Sequence, residues 1–200
     1  MSKLKSMSAL ESVAVPGRHG KSDGPAGVTL QERADLGLAT LEVRKGQAAA
    51  LDAAVQAAYG VALPNGPVSA VGKGVRFVGV GPGQWFAVSE THANEALAND
   101  LATKLEGLAS VADHSSGRAV VRVEGPSVRD VLAKGLAIDL DPGVFGDGAA
   151  AVTNISHMGV LVWRDGEAFD LAVFRSVAGS FYGWLEEAAA AYGLDVVTTS

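Results

Sequence analysis

The segment DHSSGR, Asp113 to Arg118, gathers a carboxylate, an imidazole, two hydroxyls and a guanidinium within six residues. Such a set could do acid–base or hydroxyl-nucleophile chemistry, in which an imidazole takes the proton of a serine held within hydrogen-bond reach. Neighbouring side chains of an extended stretch point to opposite faces, however, so adjacency alone builds no relay. The favoured expectation is a polar crossing between two halves of the chain, its side chains bonded to backbone. His114 shares this segment. His19, His92 and His157 are scattered, with no two one helical turn apart, whereas zinc takes three or four converging ligands.

Other candidates are weaker. Asp139 and Asp141 alternate in IDLDPGVF and would share a face able to hold a cation or a shared proton. No complete calcium loop surrounds them, and Pro142 with Gly143 implies a solvated turn. GVGPG, Gly79 to Gly83, resembles part of a dinucleotide fingerprint, but QWFAVS reads as a strand where a phosphate nest needs a helix start. Pro82 also removes a donor. GKG, Gly72 to Gly74, lacks a complete P-loop around it. Arg175, at the end of FDLAVFRS, has the fork that grips carboxylates and phosphates; bonding within the chain or to a partner subunit is the preferred reading. Glu186 and Glu187 are expected in solvent. No catalytic, cofactor-binding or metal-ligating residue is assigned.

The elements that would position these residues follow from periodicity. LATLEVR, from Leu38 to Arg44, reads as a strand. A helix follows, with Leu51, Val55 and Ala58 or Tyr59 on one face and Gly60 as its stop. VRFVGVGPGQWFAVS is a hairpin. Leu97, Leu101 and Leu105 mark a second helix, with Thr91 as cap and Glu95 in its first turn. ASVADH closes the first half. RAVVRVEG, a short helix behind Pro126, three strands from AVTNISHMGVLVWRDGEAFDLAVFRS, the helix FYGWLEEAAAAYG and LDVVT form the second. Phe181, Tyr182 and Trp184 cannot share one narrow helical stripe, so part of that aromatic surface is expected to meet a partner. Trp85 and Trp163 read mostly as core.

Each half thus runs strand, helix, strand pair, helix, strand. The predicted fold class is α+β: two intimately packed βαββαβ units with antiparallel sheets, each covered by helices on one side. Residues 1–35, rich in Gly, Pro and charge, read as a flexible or partner-ordered arm. Residues 36–116 form the first unit and 117–200 the second, together one domain.

Composition bounds the partners. The 200 residues are 48% apolar and carry a formal charge of −6, with the 16 Lys and Arg residues dispersed. That disfavours nucleic acid and anionic membranes. No cysteine occurs, which removes disulfides, thiolate metal sites and thiol catalysis. No apolar run reaches the roughly 20 residues of a membrane span, and the basic N-terminus lacks the apolar core of a signal peptide. A cytoplasmic protein is expected.

Four stretches in order, GLATLEVR, GVGPGQWFAVS, VADHSSGRAVVRVEGPSVRDVLAKGLAIDLDPGVF and WRDGEAFDLAVFRSVAGSFYGWLEEAAAAYG, resemble the gamma subunit of heterotetrameric sarcosine oxidase. The resemblance spans nearly everything after residue 35 and implies the folate-binding fold of the glycine-cleavage aminomethyltransferase. It further implies a non-catalytic chain, packed mainly on an alpha subunit beside beta and delta subunits. The complex it implies oxidises sarcosine to glycine, passes the one-carbon unit to tetrahydrofolate and releases hydrogen peroxide. FAD, FMN, NAD, tetrahydrofolate and zinc would then lie on other subunits, as redox chemistry is carried by cofactors. The alternatives are a stand-alone folate-dependent aminomethyltransferase-like protein, a subunit of a related N-methyl amino acid dehydrogenase, or a small-ligand binding module.

Overall fold

Alternating strands and amphipathic helices succeed one another twice along the chain. The computed structural model describes residues 8–197. In order run β1 (Gly17–His19), β2 (Val28–Glu32), β3 (Gly37–Val43), α1 (Ala48–Tyr59), β4 (Ser69–Val71), β5 (Arg76–Gly81), β6 (Gln84–Ser89), α2 (Ala96–Lys104) and β7 (Ala109–Asp113). There follow β8 (Arg118–Glu124), α3 (Val128–Leu132), β9 (Ala150–Ile155), β10 (Met158–Asp165), β11 (Ala168–Phe174), a 3-10 turn (Arg175–Val177), α4 (Ala178–Ala189) and β12 (Leu194–Val197). From β3 and again from β8 the order is strand, helix, three strands, helix, strand. The sequence reading has only a pair of strands in the first series. It misses β4, whose three residues lie among Pro67, Gly72 and Gly74 and are too few to show a period.

The smaller sheet is ordered β4-β5-β6-β3-β7, the larger β1-β12-β2-β8-β11-β10-β9. The two orders correspond, β9-β10-β11-β8 repeating β4-β5-β6-β3, with β12 in the place of β7. The larger sheet differs by an insertion. β2 lies between β8 and β12, with Leu30 opposite Val123 in an antiparallel pair and opposite Val196 in a parallel one. The sheets are antiparallel as expected, apart from one parallel pair, β2 with β12.

Residues 17–32 also depart from the expected arm. β2 is internal to the larger sheet, with Val28 and Leu30 buried, and β1 extends its edge beside β12. VTLQE is five residues long between Gly-rich segments. Its pairing partners come from distant parts of the chain, so local pattern could not reveal it. Residues 1–7 of the expected arm lie outside the described residues.

Strand alternation sorts side chains into three apolar layers. Leu41, Phe77 and Ala87 of the smaller sheet meet Leu51 and Val55 of α1 and Leu97 and Leu101 of α2. Val121, Val162 and Leu171 of the larger sheet meet Val131 of α3 and Phe181 and Leu185 of α4. Between the sheets lie Leu38, Val78, Phe86 and Val88 from one side and Val120, Leu161, Trp163 and Ala172 from the other. The architecture is helix, sheet, sheet, helix. β11 is accordingly buried from Ala168 to Val173, as befits a strand covered on both faces.

Helix ends follow simple stereochemistry. α1 stops at Gly60, whose φ of 73° is left-handed, with its N–H on the Gln56 carbonyl. α2 starts at Ala96 without a side-chain cap. The expected cap, Thr91, lies too far ahead, and its hydroxyl instead reaches the Gly74 carbonyl and the His92 ring. The aromatic surface expected on α4 is largely covered. Phe181 and Tyr182 are both buried, while Trp184 is partly so. The reason is the segment before β2, which lies along the helix. Leu10 joins the α4 core, His19 pairs with Glu186 at 2.7 Å, and Lys21 N–H donates to the Ala190 carbonyl.

Candidate functional site

The chain crosses from the smaller sheet to the larger at His114–Gly117, between β7 and β8. The turn closes on itself, since Gly117 and Arg118 N–H both reach the His114 carbonyl. Ser115 locks it to β3. Its hydroxyl accepts from Leu38 N–H at 3.0 Å and lies 2.7 Å from an Asp113 oxygen. The same Asp113 oxygen accepts from Ser115 N–H. His114 N–H in turn donates to the Leu38 carbonyl. The His114 ring packs near Phe86, with centroids 6.5 Å apart. No hydrogen bond among the described residues joins it to either serine. The arrangement fastens the crossing to β3.

The other sequence candidates are held apart. Asp139 and Asp141 cap their own turn, accepting from the N–H groups of Asp141 and Gly143. His19 lies against α4, and His92 bonds Ser89 and Thr91. His157 turns the β9–β10 hairpin with φ 71°, following Ser156 at 45°. Among the described residues no three His, Asp or Glu groups converge as a metal site. No helix among them is long and apolar enough to cross a membrane.

GVGPG is the end of β5 and the turn into β6, with no helix behind it. It does not fit a nucleotide phosphate, because its backbone is committed to the hairpin and Pro82 offers no N–H. Gly79 has a steric role: a Cβ there would sit 2.0 Å from the Gly66 carbonyl oxygen. With Pro64, Pro67, Val152 and Trp85, the turn lines an apolar groove of about 670 Å³. Trp85 is oriented by its Nε1–H, which donates to the Pro64 carbonyl at 2.9 Å.

Sequence reasoning passed over a charged seam between the sheets. Asp165 of β10 accepts from Arg76 of β5 at 2.7 Å and from Arg122 of β8 at 2.6 Å. Burial raises the Asp165 pKa, but the two arginines outweigh it and hold the carboxyl below its usual range. Asp170 of β11 is buried and 3.6 Å from Arg122. There burial dominates, and the pKa is raised despite the arginine. The signal was available in principle, since Asp170 alternates with Phe169 and Leu171 and must face the other sheet. Its partners, on other strands, were not.

The crossing also borders a cavity of about 420 Å³ lined by Ser115, Ser116, Arg118 and Arg175. Arg175 opens the 3-10 turn before α4, its N–H bonded to the Gly117 carbonyl. The β8–β11 register sets Arg118 opposite Phe174. The guanidinium carbon is 3.6 Å from the centre of that ring.

Known proteins share both sequence and fold with this chain. Residues 45–191 match the sarcosine oxidase, gamma subunit family. The sarcosine oxidase subunit gamma of Corynebacterium sp. strain U-96 is 35% identical over 150 residues, covering 72% of this chain and 70% of that protein. The subunit gamma of an Arthrobacter species is 35% identical over 118 residues, covering 58% of this chain and 57%, little more than half, of its own length. Heterotetrameric sarcosine oxidase from Corynebacterium sp. U-96, solved in complex with pyrrole 2-carboxylate, contains a chain that superposes with a TM-score of 0.80 at 28% identity, over 94% of this chain and 96% of that one. Aminomethyltransferase T of the glycine cleavage system from Bartonella henselae shares the fold, with a TM-score of 0.60 at 14% identity, over 86% of this chain and 48% of that one. By sequence and by structure, this chain belongs to the sarcosine oxidase gamma subunit family.

Proposed function

We propose that the chain is a non-catalytic gamma subunit that supports assembly of a heterotetrameric sarcosine oxidase. In that complex sarcosine is oxidatively demethylated to glycine, its one-carbon unit passes to tetrahydrofolate and hydrogen peroxide leaves. The alpha subunit is the main contact, with beta and delta subunits in the same cytoplasmic assembly. FAD, FMN, NAD, tetrahydrofolate and zinc belong to those chains. Residues 36–116 and 117–200 act together as one docking body.

The observation that carries this reading is the end-to-end match to a chain of a sarcosine oxidase heterotetramer. The geometry of the crossing agrees, because its serine and carboxylate are spent on strand pairing. A stand-alone folate-dependent aminomethyltransferase-like role is the second reading, supported by fold likeness alone.

The test is mild affinity purification of the chain from its native cells, with mass identification of co-purifying proteins and a flavin absorption spectrum. A flavin-bearing assembly that oxidises sarcosine is expected. A partner-free, flavin-free chain that turns over an N-methyl substrate by itself would overturn the proposal.

A further inference from the structure

We infer that the cavity beside the β7–β8 crossing is a carboxylate-binding site, with the Arg118 guanidinium, set over Phe174, as its anchor and the Ser115–Ser116 segment as its polar wall. The inference goes beyond the subunit reading and rests on it only in the second arm of its test.

The first observation is an arginine without an acid. The arginines of the seam between the sheets have carboxylate partners: Arg33 has Glu90, while Arg76 and Arg122 share Asp165. No ion pair or side-chain hydrogen bond among the described residues involves the Arg118 guanidinium. Its Nε is buried with no acceptor. Burial alone pushes its pKa down, with no carboxylate to oppose the shift. A half-buried donor group of fixed positive charge is costly unless an acceptor meets it.

The second observation is placement. The guanidinium carbon lies 3.6 Å from the centre of the Phe174 ring, a cation–π contact that leaves the N–H edge of the group to other partners. That edge offers parallel donors spaced for the two oxygens of a carboxylate. Phe174 is itself 51% exposed, so the platform stands at the surface and an anion can reach it. Arg175 lines the same cavity and adds positive potential.

The third observation is charge balance. Glu32 also lines the cavity, where it accepts from the Ser8 hydroxyl and from Ala9 N–H. Arg33, which also lines the cavity, is paired with Glu90, and with the Glu32 carboxylate in the wall and a formal charge of −6 on the whole chain a monoanion is favoured over a phosphate dianion. The carboxylate has two possible sources: a free small carboxylic acid, or an acidic side chain of the protein on which this subunit docks.

The test has two arms. In the first, the Arg Nε–H and backbone amide signals of the isolated full chain are followed by NMR while acetate replaces chloride at fixed ionic strength. A saturable shift of the Arg118 signal and of the Ser115 and Ser116 amides that line the cavity, the amide response weakened about tenfold or more in R118Q, identifies a site for free carboxylate. In the second, wild type, R118Q and F174A are compared for incorporation into the complex. No acetate response, but assembly weakened about tenfold or more by R118Q, identifies a carboxylate from the partner. Should R118Q not fold, F174A, a change at a half-exposed ring, carries both arms. No acetate response together with wild-type assembly of the variants overturns the site. Because the first arm needs no partner, loss of the subunit reading and loss of this site give different results.

Discussion

Asp165 of β10 and Arg76 of β5 meet at 2.7 Å, so a charged contact ties the larger sheet to the smaller one at the end of their shared apolar layer. Arg122 fills the second Asp165 oxygen. D165N removes one charge and leaves two arginines facing an amide. With the Asp165 side chain 35% exposed, solvent screening limits the loss to about 1–2 kcal/mol by chemical denaturation. The folded pKa is depressed. The stabilisation is therefore complete above the ordinary unfolded carboxylate pKa and disappears as pH falls through the folded one. The gap between wild type and D165N should close in acid.

Asp170 is expected to slope the other way. Its folded pKa is raised by burial, so the native state holds its proton longer than the unfolded chain does. Wild type then loses stability as pH rises from the unfolded pKa through the folded one. D170N has no such loss. Denaturation midpoints over a pH series should move in favour of D170N as pH rises, opposite in sign to D165N.

S115A tests whether the crossing is a fastener. The buried Leu38 N–H loses its acceptor, at a cost of about 1–3 kcal/mol. Under the proposed subunit role, the assembled complex should keep its turnover per active unit, as should H114Q. A loss of turnover by orders of magnitude in either variant, with the thermal midpoint unchanged, would reinstate chemistry at this segment.

G79A should be poorly tolerated although it lies in a hairpin strand. The added methyl would sit 2.0 Å from the Gly66 oxygen, and relieving that overlap is expected to cost about 1–3 kcal/mol in urea denaturation. G46A is the control for Cβ crowding, because nothing lies within 4 Å of a Cβ there. Its cost should be confined to the left-handed backbone, φ 79°.

L30A probes the inserted strand. Leu30 is 1% exposed between β8 and β12. Truncation should remove about 2–5 kcal/mol of stability, a loss no free arm would show.

What the sequence made legible was local. α1 follows from Leu51, Val55, Tyr59 and Gly60, and the repeated strand–helix order follows from periods of 3.6 and 2. What escaped was set by contacts distant in sequence. β2 is a strand because Val121–Glu124 and Leu194–Val197 flank it. Tyr182 is buried because the segment before β2 covers α4. At the crossing, the letters DHSSGR named the cavity's wall, but which hydroxyl bonds which strand depends on the β3–β7 register. Arg118 gained its interest only when β8 and β11 set it against Phe174.

The inserted strand also imposes an order on biogenesis. The pairings of the smaller sheet run from Gly37 to Asp113 and can close while the rest of the chain is still being translated. The larger sheet needs β12, residues 194–197, to pair with strands from residues 17–32. β2 can pair with β8 once residues 118–124 are made, but its other edge must wait, unpaired, until residues 194–197 are synthesised. Such long-range closure slows folding and leaves a sticky edge exposed. That interval is when the open edge of β2 is most exposed to aggregation.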